Sequence, residues 1–134
     1  MNTTHTALIE ALVKSRALIN LPENFTTRTY ARAMNGSATS VHSATATCFC
    51  LLGSVMRTTG YDYDSFDRGL PYKLYFEARS CLDKQLQTIR RTYSLNPQHC
   101  IAEYSDTSSH ADVLSLLDAT ISRLKADTVQ SEIH

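Results

Sequence analysis

Three stretches of the chain repeat apolar residues every three or four positions, which is the pattern of helices that bury one face. The first runs from about Thr4 to Asn20, the second from Pro71 to about Ser94, and the third from Ser109 to about Lys125. The apolar positions are Leu8, Ile9, Leu12, Val13 and Ile19; Leu74, Ala78, Cys81, Leu82, Gln85 or Leu86, Ile89 and Tyr93; and Val113, Leu114, Leu117, Ile121 and Leu124. We therefore expect three amphipathic helices, with Pro22 stopping the first and Asn96-Pro97 ending the second.

The most apolar run of the chain lies between Cys48 and Met56 and predicts a buried central helix. Ser43 can cap its start, and Gly60 can close its end in the left-handed conformation that glycine adopts easily. Gly53 falls inside this helix, where glycine costs about 1 kcal/mol relative to alanine. We expect another element to cross the helix closely at Gly53, because only a close approach compensates for that cost.

Residues 25–41 replace the helical pattern with threonines and small residues around an Asn35-Gly36 pair. Asn-Gly is the strongest two-residue signal for a β-hairpin, so we expect strands over Thr27–Met34 and Ser37–Val41. Gly60–Gly69 is predicted to be a loop, and Gln98–Ser108 an irregular connector before a capping box at Ser109. The predicted fold class is mainly α, with about four helices packed round the central apolar helix and one short β-hairpin, in a single domain over residues 1–134.

Composition narrows the classes of function that this fold could serve. The chain has 13 basic and 13 acidic residues, so its formal net charge is zero. A general nucleic-acid binder would carry a basic excess, which leaves only a local basic patch for that role, and the same balance argues against a membrane-surface binder. No run approaches the roughly 20 apolar residues that span a bilayer. No signal peptide is visible, so we expect a cytoplasmic protein whose four cysteines are thiols.

Three motifs carry a resemblance to a known family. They are Arg16-Ala17-Leu18-Ile19 with Pro22-Glu23-Asn24-Phe25 and Tyr30-Ala31-Arg32; the run from Cys48 to Val55; and Ile101–Asp106 followed by His110–Asp118. Together they resemble a family of small uncharacterised bacterial and phage proteins whose members read roughly ARALIEDPENW, AYAR, CALGAL and WND…THEEVLALFDRAI. Phe25 replaces the family's usual tryptophan, and Tyr104-Ser105 replaces its aromatic–Asn pair. The resemblance implies an order of elements and a phage or mobile-element origin, and it brings no activity with it.

Cysteine and histidine side chains suggest a metal site or a nucleophile. The candidates are Cys48, Cys50, Cys81, His99, Cys100 and His110. Residues two apart on a helix point about 200° away from each other, so Cys48 and Cys50 would not share a metal. We expect buried thiols and no metal or cofactor. Cys100 is the remaining candidate nucleophile, with His99 or His110 as its base, but the side chains of neighbours such as His99 and Cys100 usually diverge.

The start of the last helix carries a candidate ligand-binding set, because a helix N-terminus attracts anions. Its residues are Asp106, His110 and Asp112, assisted by Arg28 or Arg32. Such a set could hold a small anion or a substrate carboxylate. The alternative is structural: Asp106 or Ser109 caps the helix, and His110 covers Tyr104.

The loop between Gly60 and Gly69 carries a candidate partner-binding set, because aromatic side chains dominate the hot spots of protein interfaces. Its residues are Tyr61, Asp62, Tyr63, Asp64 and Phe66. One face of the predicted hairpin adds Arg28, Tyr30 and Arg32 to the set. The loop is not a calcium site, since Phe66 stands where a further oxygen ligand is required. The alternatives are rings folded back onto the core and a hairpin face that is simply solvated.

These observations favour a non-catalytic accessory protein of a phage or mobile element that binds and modulates a host protein, as a host-takeover or anti-defence inhibitor in the host cytoplasm. The alternative is a small-ligand-binding protein or enzyme that uses the Asp106–His110 turn. A polar pocket joining that turn to Arg28 or Arg32 would favour the alternative. A flat aromatic patch over Tyr61–Phe66 would favour partner binding, and a homo-oligomer is compatible with both.

Overall fold

The computed structural model describes residues 3–93 and 100–133, and within them the chain forms five α-helices and one small sheet. The elements are α1 (Thr3–Leu18), a 3-10 turn (Pro22–Asn24), β1 (Ala31–Ala33), β2 (Ala46–Phe49), α2 (Leu51–Thr59), α3 (Leu70–Tyr93), α4 (Ile101–Thr107) and α5 (His110–Ile133). The predicted mainly α fold class is confirmed.

The core lies where α1, α2, α3 and α5 pack against one another. Its most completely buried aliphatic residues are Leu12, Ile19, Leu51, Val55, Leu82, Leu86, Val113, Leu116 and Leu117. Burying a side chain of this size contributes about 1.5–3 kcal/mol, so these stripes drive the assembly. The sequence pattern predicted most of these positions, but it omitted Leu116 and included Val13, which is 42% exposed. None of the described helices is long and apolar enough to cross a membrane.

The central helix is shorter than predicted, since it begins at Leu51 and not near Ser43. Residues 46–49 form β2 instead, because a strand partner lies beside them and threonine and phenylalanine suit a pleated surface. Cys50 serves as the N-cap of α2, and its Sγ accepts a hydrogen bond from the Gly53 N–H at 3.3 Å. Gly60 ends the helix at φ +81°, as the sequence predicted.

The hairpin turn is real, but the strand pairing differs from the prediction. Gly36 has φ +87°, and the Ala33 N–H donates to the Ser37 carbonyl at 2.8 Å. Beyond one bridge between Arg32 and Ala38, however, β1 pairs antiparallel with β2, with Ala31 opposite Phe49. The strands predicted over Thr27–Met34 and Ser37–Val41 were therefore mostly wrong, because the better partner lies further along the chain.

The C-terminal third contains more helix than predicted. The connector predicted to be irregular forms α4, which buries Ile101 and Ser105 four residues apart on one face. Ser109 caps α5 as expected, since its Oγ accepts the Asp112 N–H at 3.1 Å. Helix α5 continues to Ile133, well beyond the predicted end. The helix end predicted at residues 96–97, and His99, lie outside the described residues.

Candidate functional site

A cavity of about 350 Å³ opens between the segment that precedes β1, the first turn of α2, and α4. Its lining includes Arg28 and Tyr30 from the segment, Leu52 from α2, and Ala102, Ser105 and Asp106 from α4. The three α4 residues are three and four positions apart, which places them on one face of that helix. The volume falls within the roughly 300–1,000 Å³ of small-molecule pockets. We call this cavity the α2–α4 cleft.

Close backbone packing at Gly53 fixes one wall of the cleft. The Cys50 N–H donates to the Tyr30 carbonyl at 3.2 Å, which holds that carbonyl against the first turn of α2. A Cβ added at Gly53 would overlap the Tyr30 carbonyl oxygen and lie 2.7 Å from its carbonyl carbon. The expectation of a close crossing at Gly53 is confirmed, and the crossing element is the Tyr30 backbone.

Arg28 occupies a strained position at the edge of the cleft. Its φ is +69°, and it is the sole non-glycine residue with a positive φ in the part of the chain that the structure describes. An L-residue pays about 1–2 kcal/mol for this left-handed conformation. Strain of this kind persists where the surrounding structure requires it, and it concentrates at binding sites. Arg28 is therefore a candidate binding residue on backbone grounds as well as on charge.

Replacing Arg28 by glycine is expected to stabilise the fold by about 1 kcal/mol, because glycine adopts a positive φ without the steric penalty. In a chain of this size the gain corresponds to a rise in Tm of about 3–5 °C, which circular dichroism during heating would measure. Arg28→Ala is the matched control: it removes the same side chain but keeps the strain, so its Tm should stay near that of the wild type. Equal effects of the two substitutions would contradict the assignment of strain.

The charges of the cleft are unpaired within the described residues. Arg28 and Asp106 both line the cavity and both are exposed, yet they form no ion pair with each other. The ion pair that the described residues do form, Arg16 with Asp118 at 2.9 Å, lies elsewhere. Burial raises the pKa of Tyr30 above its ordinary value, and the Asp106 carboxylate adds to that rise. Tyr30 therefore keeps its hydroxyl proton at neutral pH and can donate a hydrogen bond.

The cysteine nearest the cleft is unsuited to act as a nucleophile. Cys50 is 2% exposed, and burial raises the pKa of its thiol. Ser105, which lies beside it, accepts the Leu52 N–H on its Oγ at 3.3 Å. A protonated thiol in the core is inert, since the thiolate is the reactive form.

The other cysteines are also free thiols, and their surroundings differ. Cys48 donates to the Glu23 carbonyl at 3.2 Å, and Cys100 is exposed at the start of α4. The helical argument that separated Cys48 from Cys50 was wrong, because Cys48 lies in a strand and Cys50 at a helix cap. Within residues 3–93 and 100–133, no three His, Cys, Asp or Glu side chains gather in a way that could hold a metal ion.

The predicted ligand-binding set is divided by the fold. His110 donates from Nε2 to the Ile19 carbonyl at 2.6 Å, and its ring packs 5.2 Å from the Phe25 ring, so it covers Phe25 and not Tyr104. Asp112 contacts Tyr104 through its backbone: its carbonyl accepts a hydrogen bond from the Tyr104 hydroxyl at 3.1 Å. Only Asp106 of the three lines the α2–α4 cleft. The structure joins it to Arg28, which the sequence had offered as its helper.

The predicted partner-binding set is also divided. Tyr61 is 7% exposed and stacks on Tyr75 with ring centroids 4.6 Å apart, so it belongs to the core and is removed from that set. Tyr63 and Phe66 are 68% and 93% exposed. Within the loop itself, the Asp62 carboxylate accepts the Asp64 N–H at 3.0 Å. The flat patch of three rings does not form.

The basic face of the predicted hairpin is partly occupied by internal contacts. Arg32 donates from Nε to the Thr26 hydroxyl at 2.9 Å and from a terminal nitrogen to the Gly36 carbonyl at 3.0 Å. It therefore braces the hairpin turn. Tyr30 remains 41% exposed, and its ring centroid lies 6.3 Å from that of Tyr63. Arg28 and Tyr30 are thus the members of this face that line the cleft.

Four residues of the cleft were not predicted from the sequence: Thr29, Leu52, Ala102 and Ser105. Helical spacing from Ile101 would have placed Ala102, Ser105 and Asp106 together, but the segment was predicted to be irregular. Leu52 looked like an ordinary core residue, and it is indeed 2% exposed. The signal for Ala102 and Ser105 depended on recognising α4.

Tyr75 should make the fold sensitive to alkaline pH. Burial raises the pKa of its hydroxyl from 10 to about 12, and the nearby Arg79 side chain opposes the rise. The folded state holds this proton more tightly than the unfolded state, so stability should be complete below about pH 10 and decrease as pH approaches 12. Urea unfolding of Tyr75→Phe should show a smaller loss of stability between about pH 10 and 12, and a stability at neutral pH within about 1 kcal/mol of the wild type. An equally steep loss of stability with pH in Tyr75→Phe would contradict this prediction. Tyr63→Phe, which changes an exposed ring, is the control.

Comparison with known proteins places the chain in a family. The family model for a family of unknown function, DUF6197, matches residues 3–123, which include every residue of the α2–α4 cleft. No curated protein and no solved structure matches the chain. The expectation of an uncharacterised family is confirmed. The protein is a member of the DUF6197 family of unknown function.

Proposed function

We propose that the protein binds a small polar ligand in the α2–α4 cleft. The observation that carries the proposal is that Arg28, held in a left-handed conformation, and Asp106 line the same cleft. Neither charge forms an ion pair among the described residues. Opposite charges that line one cavity without meeting each other leave both groups available to a bound molecule. This is the polar pocket that the sequence analysis associated with a ligand-binding role.

The chemistry of the cleft supports binding more than turnover. A nucleophile needs an adjacent base to activate it, and the cleft's hydroxyl at Ser105 is already engaged with the Leu52 amide. The nearby Cys50 thiol is buried and protonated. Arg28, Tyr30 and Asp106 supply two charges and a hydroxyl donor, which are the groups that orient and select a bound molecule.

Filling the cavity tests the proposal. Ala102 lies partly exposed on the cleft wall, so Ala102→Trp should occupy the cavity and leave the core intact. We expect a screen of polar metabolites by saturation-transfer NMR to give at least one ligand with a Kd below about 1 mM for the wild type and no measurable binding to this variant. Ala111→Trp, at an exposed position of α5, is the matched control and should bind normally. Ligands that bind Ala102→Trp as well as wild type, or an absence of ligands, would overturn the proposal.

A second candidate is the partner-binding role, in which a phage or mobile-element accessory protein binds and modulates a host protein. Its support is the exposure of two large aromatic rings, Tyr63 and Phe66, on one loop. Rings of this size are common anchors of protein interfaces. A host protein retained by the wild type and by Arg28→Gly, but lost from the double variant Tyr63→Ser and Phe66→Ser, would support this role over ligand binding.

A further inference from the structure

The charge pattern of the α2–α4 cleft restricts the ligands that it could accept. Arg28 and Asp106 give the lining one positive and one negative group. A ligand with a single negative charge would pair with Arg28 but be repelled by Asp106. A simple cation would pair with Asp106 but be repelled by Arg28. Removing a charge from water without a partner is costly, so a ligand that neutralises both groups has a clear advantage.

Each group of the cleft suits one end of a zwitterion. The Arg28 guanidinium can donate two parallel hydrogen bonds to a carboxylate or phosphate. Asp106 can accept hydrogen bonds from an ammonium group, and the half-exposed ring of Tyr30 presents an electron-rich face that attracts cations. A tyrosine is protonated at neutral pH, and burial raises the pKa of Tyr30 further, so that face belongs to a neutral phenol.

Size and apolar surface limit the ligand further. The cavity of about 350 Å³ lies near the lower end of small-molecule pockets, which run from roughly 300 to 1,000 Å³. Leu52 and Ala102 contribute apolar lining for a short carbon skeleton. Arg79, the cation that acts to lower the pKa of Tyr30, does not line the cleft, so it does not add a second positive contact there.

We infer that the α2–α4 cleft binds a small zwitterion of the free α-amino-acid class, with its anionic group on Arg28 and its ammonium group on Asp106. The inference rests on the proposed ligand-binding function and makes it specific. Arg28 selects for the anionic end of the ligand and Asp106 for the cationic end. The carbon skeleton lies against Leu52 and Ala102.

Calorimetric titration with matched probes tests the assignment. The probes are aliphatic, hydroxylated and aromatic free amino acids, each with its N-acetyl derivative and its carboxamide. Phosphoethanolamine is added to distinguish a phosphate from a carboxylate at the anionic end. We expect at least one free amino acid to bind more tightly than phosphoethanolamine, and loss of either charge of that amino acid to raise its Kd at least about tenfold, or 1.4 kcal/mol. Tighter binding of phosphoethanolamine than of every amino acid would overturn the amino-acid assignment.

Variants of the two charged residues then assign each end. In Arg28→Gln, converting the ligand's carboxylate to an amide should cost no further affinity, while N-acetylation should still weaken binding. In Asp106→Asn, N-acetylation of the ligand should cost no further affinity, while conversion of its carboxylate to an amide should still weaken binding. Neither residue lies in the core, so both variants should fold, and heating monitored by circular dichroism would verify this.

The outcomes separate this inference from the proposed function. One contrary result is a ligand with one charge or none that does not bind Ala102→Trp, and whose Kd is unchanged by Arg28→Gln and Asp106→Asn. This result would overturn the zwitterion assignment but would leave a ligand-binding cleft in place. Zwitterions that bind with the two variants' effects interchanged would overturn the assigned orientation. An absence of any ligand sensitive to Ala102→Trp would overturn both.

Discussion

Replacing Gly53 by alanine should destabilise the fold by about 3 kcal/mol, although the same exchange inside most helices stabilises by about 1 kcal/mol. The added Cβ would overlap the Tyr30 carbonyl oxygen. Because that atom belongs to the backbone and accepts the Cys50 N–H, no side-chain rotation relieves the overlap. The chain before β1 must move away from α2, which would also disturb the α2–α4 cleft. Urea unfolding followed by circular dichroism would measure the loss.

Gly36→Ala is the control for this prediction. Gly36 has φ +87° and no atom within 4 Å of an added Cβ, so alanine there adds conformational strain without a clash. We expect a cost of about 1 kcal/mol for Gly36→Ala. A stable Gly53→Ala variant, with a loss no larger than that of Gly36→Ala, would show that the Tyr30 backbone does not press on α2.

Replacing Tyr61 by serine should cost about 3–4 kcal/mol, because the change removes a buried ring and leaves a cavity. Tyr61 stacks on Tyr75 at 4.6 Å and meets the edges of Tyr72 and Phe76 at 6.0 and 5.5 Å. Aromatic pairs of this kind add about 0.5–1.5 kcal/mol beyond the area that they bury. The change should therefore weaken the contact between the loop and α3. Its effect is measurable as a lower urea midpoint with an unchanged m-value.

Phe66→Ser in the same loop is the matched control. Phe66 is 93% exposed, so its loss should change stability by less than about 0.5 kcal/mol. Tyr61→Phe should retain most of the stability, since it keeps the ring. Equal losses for Tyr61→Ser and Phe66→Ser would mean that the loop does not pack as described, and would return Tyr61 to the candidate partner-binding surface.

The candidate site was only partly predictable. Asp106 was singled out from the sequence together with Arg28 or Arg32 as a ligand-binding set, whereas Tyr30 was singled out only as part of the hairpin face. Residue type identified them, because charged and aromatic side chains in connecting segments are common binding groups. The sequence could not decide between Arg28 and Arg32, nor add Tyr30 to the set, since these residues are far from Asp106 in the chain and nothing local specifies which of them line one cavity with it. His110 lies apart from the cleft because its hydrogen-bond partner, the Ile19 carbonyl, is 91 residues away in the chain and equally invisible to local patterns.

The sequence by itself determined α1, α3 and most of α5, the left-handed end of α2 at Gly60, and the cap of α5 at Ser109. Each of these depends on periodicity or on a side chain acting within a few residues of itself. Only the tertiary structure decided that residues 46–49 form a strand. These residues adjoin the apolar run that predicted a helix, and their hydrogen-bonded pairing with β1 determines their conformation instead. It also decided the α2–α4 cleft, which exists because the Gly53 surface admits the Tyr30 backbone and because α4 packs beside it. Strand pairing and cavities depend on contacts between distant segments, and local patterns carry no information about those contacts.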